Sequence, residues 1–207
     1  MTLSAADPFE VLQRIRRAPP RPRPGERCDM CAELVADDHE HVVDLERRSL
    51  MCTCRGCWML FTSDGAGGGR YRAVPDRYVA VEDLSVGAGA WESLQIPVGV
   101  SFFFHNSGLG RVTAFYPGPA GATESLLDLG AWDELVASNP QLESLEPDVE
   151  ALLVRNADGG AEAYLVPIDA CYELVGHIRS LWRGFDGGRE AKDALDRFFE
   201  GIRSRCR

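Results

Sequence analysis

Two cysteine clusters, Cys28-Asp29-Met30-Cys31 and Cys52-Thr53-Cys54-Arg55-Gly56-Cys57, constrain this chain more than any other feature. Five of its seven cysteines fall within residues 28–57. A CxxC pair repeated after an interval of about twenty residues places four thiolates where one tetrahedral ion can gather them. The candidate ligands are Cys28, Cys31, Cys54 and Cys57. Cys52 is an alternate for Cys54, because residues two apart on an extended segment point to the same side. Soft thiolates select zinc, iron or an iron-sulfur cluster. A zinc staple for a module too small to hold itself together is the first expectation, and iron the alternative. The Cys52-x-Cys54-x-x-Cys57 spacing is tighter than the common ferredoxin patterns.

The rest of the composition sets the context for those thiols. A chain of 207 residues, 45% hydrophobic and 26% charged, has room for a small metal module and one ordinary globular domain. No apolar run approaches the ~20 residues of a membrane-spanning helix. The N-terminus has neither a basic start nor an apolar signal core, so a cytoplasmic location without membrane insertion is expected. Reducing compartments disfavour structural disulfides, and an odd number of cysteines cannot pair completely. The net charge of -10 opposes a general affinity for nucleic acid. Only the first 27 residues run the other way, through Arg14, Arg16, Arg17, Arg21, Arg23 and Arg27.

Three segments follow from pattern. Residues 1–24 hold a short amphipathic helix over Phe9–Arg17 and a stiff Pro/Arg-rich linker, in which proline stops the helix. Residues 25–64 form the four-cysteine module. Its first knuckle leads into strands His41–Leu45 and Ser49–Thr53, with Glu46-Arg47-Arg48 between them. The second knuckle then opens a helix at Trp58-Met59-Leu60-Phe61. Knuckle, hairpin and knuckle at a helix start is the treble-clef order, and helix-start amides favour thiolate over thiol. The glycine run 65–69 lacks the order of a nucleotide-binding loop and reads as a connection.

Residues 70–207 read as an α+β domain. A strand is predicted at Tyr78–Val81 and a hairpin from Val98–His105 and Arg111–Tyr116, ended by Pro117-Gly118-Pro119-Ala120-Gly121. A helix near 131–137 precedes a second hairpin from Glu150–Arg155 and Ala161–Val166. Helices over Asp169–Arg183 and Arg189–Ile202 close the chain, each with an apolar stripe. The fold class is therefore α+β: a small treble-clef or zinc-ribbon-like module, then an antiparallel sheet with helices on one face.

Catalytic constellations are sparse. Asp38-His39 between two knuckles is similar to the HNH nucleases, but that family commonly has a histidine after the second cysteine pair, where this chain has Trp58. His105 and His177 lack triad neighbours, and no serine sits in a GxSxG elbow. Cys171 reads as a small buried hydrophobe and Cys206 as a frayed terminal thiol. No enzyme is expected.

Residues 68–78 (GGRYRAVPDRY), 114–125 (AFYPGPAGATES) and 171–184 (CYELVGHIRSLWRG), with the cysteine module, resemble an actinobacterial family of unknown function whose genes lie beside those of uptake nickel-iron hydrogenases. That resemblance implies a role near a hydrogenase, in its assembly or as an attached component, with a hydrogenase subunit or maturation factor as protein partner. The expected function is a zinc-stabilised, non-enzymatic accessory or interaction protein. The alternative is a rubredoxin-like iron electron carrier serving a hydrogenase, against which stand Ala32 and Trp58 where a rubredoxin knuckle has glycine. An HNH-like nuclease is the minor alternative.

Overall fold

Two adjacent valines, Val42 and Val43, bury a strand on both faces, and the charged stretch after Asp44 turns the chain back on itself. Strand β1 (Glu40–Asp44) pairs antiparallel with β2 (Ser49–Thr53). The buried Asp44 carboxylate shapes the turn by accepting the backbone N–H of Glu46 and Arg47. Helix α1 (Arg55–Met59) follows directly. The glycine run folds as a single turn of 3₁₀ helix at Ala66–Gly69, with Gly67 and Gly68 at positive φ, where other residues are strained. Strand β3 (Tyr71–Ala73) then adds to the free edge of β1, giving the order β2-β1-β3. Sequence pattern puts residues 71–73 with the larger domain, yet their backbone pairs with the cysteine module.

The computed structural model describes residues 26–84, 99–125, 129–157, 160–184 and 187–206. The expected N-terminal helix and the Pro/Arg linker lie outside the described residues.

The larger sheet contains β4 (Val79–Ala80), β5 (Val100–Asn106), β6 (Arg111–Gly118), β7 (Gly121–Ser125), β8 (Glu150–Ala157) and β9 (Gly160–Pro167). All pairings are antiparallel, in the order β4-β9-β8-β5-β6-β7. Helix α2 (Leu129–Ser138) joins the two hairpins, and α3 (Ile168–Leu181) and α4 (Gly188–Arg205) follow β9. The fold class is α+β with antiparallel sheets, as read from the sequence. Strand β7 is an addition, since the Pro-Gly stretch turns the chain at Pro119-Ala120 and sends it back.

Side chains alternate across the sheet, and both faces are covered. Phe102, Phe104, Ala151, Leu153, Tyr164 and Val166 face α3 and α4, meeting Cys171, Leu174, Ile178, Phe199 and Ile202. Phe103, Ala114, Leu152, Val154, Ala163 and Leu165 face the other way, where Trp132, Leu135 and Val136 of α2 and Leu142 of a 3₁₀ turn cover them. The two long C-terminal helices share one face, as expected, and α2 closes the second. Burying a side chain such as Phe102 contributes about 2–3 kcal/mol.

Val43 of β1 and Val74, just beyond β3, belong to the same apolar cluster as α3 and α4, so the cysteine module is built onto the domain. Polar ties reinforce the seam. Arg72 reaches the Pro147 carbonyl and the Glu146 carboxylate, and Arg77 grips the fully buried Glu150 with two nitrogens.

Candidate metal centre

The first knuckle is a tight loop closed by hydrogen bonds from Cys28 N–H to the Glu33 carbonyl and from Ala32 N–H to the Cys28 carbonyl, both 2.8 Å. Ala32 takes φ 63°, the left-handed conformation normally given to glycine. The Asp29 N–H donates to the Cys52 carbonyl and Cys52 N–H donates to the Asp29 carboxylate, both at 2.8 Å, which fastens the knuckle to the end of β2.

The second knuckle is helical. Cys54 is the N-cap of α1 and Cys57 sits one turn in, with the Trp58 N–H bonded to the Cys54 carbonyl. The helix begins before the apolar segment at which the sequence pattern predicts it. Trp58 braces the knuckle against β3 and its exit. Its indole N–H donates to the Val74 carbonyl at 2.9 Å, and Arg55 lies 4.3 Å over its ring while binding Glu40.

These two segments bring the Sγ atoms of Cys28, Cys31, Cys54 and Cys57 within 4.8 Å of one another. Sulfurs about 2.3 Å from a central zinc in tetrahedral array lie about 3.8 Å apart. Cys31 Sγ and Cys54 Sγ are 3.7 Å apart, close to that spacing. Such a group can hold zinc or iron, and the geometry does not choose between them.

The thiol chemistry is that of a crowded anion site. Burial raises the Cys28 thiol, but the backbone N–H groups of Cys54, Cys31 and Met30 outweigh it and bring its pKa down to about 6. Cys57 is pushed up to about 12 by burial and by the neighbouring sulfurs of Cys31, Cys28 and Cys54. The Cys28 thiolate forms readily and the Cys57 thiol resists until a cation arrives, because a bound ion inverts the local logic of ionisation.

Cys52 lies apart from this group. Its sulfur is 3.6 Å from Glu26 Oε1, and burial followed by the Glu26 carboxylate pushes its thiol up to about 11. Cys54 keeps an extended backbone (φ -74°, ψ 158°) as the N-cap of α1, yet Cys54 and not Cys52 joins the four gathered sulfurs. Cys52 instead shares a group with His39 and His41. Cys171 is fully buried in the sheet–helix core, where burial holds its thiol well above its ordinary range. Cys206 is packed rather than frayed, donating to the Ile202 carbonyl at 3.3 Å. His105 lies at the end of β5, and His177 is exposed on α3.

Fold and site define an α+β protein that carries a four-cysteine, treble-clef-like module at the head of its sheet. The chain belongs to a family of unknown function, DUF5947, whose model matches residues 27–206 and so takes in both the cysteine module and the domain. No curated protein and no solved structure matches it. Among the described residues, no helix is long and apolar enough to cross a membrane.

Proposed function

We propose that this protein is a cytoplasmic, non-enzymatic accessory protein whose zinc-stapled module docks a protein partner, a nickel-iron hydrogenase subunit or maturation factor. The observation that carries the reading is the closed four-sulfur set. Zinc held by four cysteines has no position left for a substrate, and such sites supply folding energy. A docking role is supported by the apolar side chains that the two knuckles leave in solvent. Leu34, Met59 and Leu60 are 58%, 60% and 65% exposed, and exposed apolar groups on a small rigid module suit protein contact. The hydrogenase partner rests on the family resemblance of residues 68–78, 114–125 and 171–184.

Metal analysis of the purified protein, with capture of purified hydrogenase subunits by wild type and by a Met59→Asp/Leu60→Asp variant, tests the reading. It requires zinc, and a complex that the variant loses. Stoichiometric iron with a reversible redox wave, or capture indifferent to the variant, contradicts it.

One observation favours a second reading, a rubredoxin-like electron carrier. Ala32 adopts the glycine-like conformation, and backbone N–H groups reach the Cys28 sulfur, an arrangement that stabilises a thiolate-bound iron. That reading requires a red protein on anaerobic isolation.

A further inference from the structure

The hairpin that carries the second cysteine cluster also builds a separate group of donors. In the β1–β2 register His41 stands directly opposite Cys52. Directly paired residues carry their Cβ atoms about 5 Å apart on one face of the sheet. His39, two residues before His41, brings its ring to 4.7 Å from the His41 ring, centroid to centroid. One donor atom from each of His39, His41 and Cys52 lies within 4.8 Å of the other two.

Hydrogen bonds already orient both imidazoles. His39 Nδ1 is 2.8 Å from the Ala36 carbonyl, which accepts and therefore fixes the proton on Nδ1. His41 Nδ1 is 2.9 Å from Asp169 Oδ2 at the start of α3. A carboxylate or carbonyl on one ring nitrogen leaves the lone pair on the other, the support that metal-binding histidines ordinarily have. His39 Nε2 is buried and has no hydrogen-bond partner among the described residues. A buried, unpaired imidazole nitrogen costs free energy unless something occupies it.

We propose that His39 Nε2, His41 Nε2 and Cys52 Sγ form a second metal site, distinct from the four-cysteine group, for a borderline-soft divalent ion such as zinc. Binding replaces the Cys52 thiol proton, which leaves to solvent, by the metal–sulfur bond, with no change of oxidation state. Three protein ligands of nitrogen and sulfur are the count at which zinc keeps a fourth position for water or an incoming group. The site therefore exchanges its ion and accepts an outside ligand, whereas the four-cysteine site does neither. Asp169 acts as a positioning residue and links the site to the α+β domain. The inference is independent of the zinc-staple reading, since the two sites share no ligand.

Cobalt(II) titration of the full-length protein, after dialysis against a weak chelator, tests it. Wild type should take up cobalt with a sulfur-to-cobalt charge-transfer band beyond any arising from the four-cysteine group. Cys52→Ser should lose that added band, and His39→Gln and His41→Gln should each weaken the added binding at least tenfold. Asp169→Asn should weaken it by about 10–100-fold, as loss of an orienting carboxylate does elsewhere. Metal held at the four-cysteine site should be unchanged in all four variants, which also reports that they are folded. His39→Gln decides the matter if Cys52→Ser disturbs the hairpin, because His39 precedes β1. No added cobalt in wild type, or an added band that survives Cys52→Ser and His39→Gln, overturns the second site. A failure of the staple reading looks different: iron at the four cysteines, or an all-sulfur cobalt spectrum that survives Cys57→Ser.

Discussion

The cysteine module and the six-stranded sheet reach order by opposite routes. In the sheet, β5 buries Val100 through Phe104 without a break, and β8 is buried from Glu150 to Val154, so apolar packing dominates the architecture. In residues 26–74 the buried apolar side chains are Cys28, Val42, Val43 and Val74, and two of these belong to the domain's own core. A segment that buries so little must be held by something else. Here the means are the stitches of Asp29 to Cys52, the seam to the domain and, as proposed, an ion in the four-sulfur cage. The difference teaches where each perturbation should act: metal loss on the module, cavities on the sheet.

The largest effect should come from removing the metal. Structural zinc in small modules binds with about 10–16 kcal/mol of apparent free energy, most of it expressed as folding. Cys28→Ser, Cys57→Ser or a strong chelator should therefore unfold the module. Amide hydrogen exchange should rise across residues 26–60 while β5, β8 and β9 stay protected. Loss of protection in both regions at once would dissolve the contrast.

Phe102→Ala probes the other region. Phe102 is fully buried between β8 and β6, stacking on Phe115, and its truncation should cost about 3–5 kcal/mol in chemical denaturation. Metal content should remain that of wild type. Cys171→Ser and Cys206→Ser should likewise leave metal content unchanged, since neither sulfur approaches the cage. Equal metal loss in these variants and in Cys57→Ser would mean a wrong ligand set.

The seam sharpens the comparison. Arg77→Ala strands the Glu150 carboxylate, which is fully buried and otherwise accepts only the Glu146 N–H among its described partners. Leaving a buried charge uncompensated costs about 3 kcal/mol or somewhat more. Arg77→Lys should recover part of this in the same denaturation experiment, because lysine restores charge without the two-nitrogen grip.

The smallest effect lies inside the first knuckle. Ala32 at φ 63° bears a strain of about 1–2 kcal/mol, against which glycine's extra chain entropy costs about 0.5–1 kcal/mol. Ala32→Gly should therefore stabilise the metal-loaded module by about 0.5–1 kcal/mol, seen as slower metal release to a chelator. Faster release would show that the knuckle does not need this conformation.

Much of this is legible in the residues because it depends on local pattern. The two hairpins of the large sheet, its closing helices and the four clustered cysteines each announce themselves within a few residues. Strand β7 is hidden by Pro117, which reads as a terminator. In the fold Pro117 lies beyond Phe115, the last β6 residue paired with β5, so its missing N–H leaves no gap on that side. The group of His39, His41 and Cys52 is hidden by register. Strands read as 41–45 and 49–53 pair Leu45 with Ser49 and set Cys52 opposite Val42. In the structure β1 ends at Asp44, whose carboxylate starts the turn one residue earlier, and Cys52 moves opposite His41. A slip of one residue exchanges the faces of a strand, and with them the site. Asp169 cannot be found from spacing, since 128 positions separate it from His41.

The most direct test of the central claim is the metal content and redox behaviour of the protein purified under reducing conditions and dialysed against a weak chelator. The account predicts a colourless protein that retains one zinc per chain, shows no redox wave, and loses the zinc on Cys28→Ser or Cys57→Ser. Stoichiometric iron with a reversible wave, or zinc retained by both variants, would contradict it.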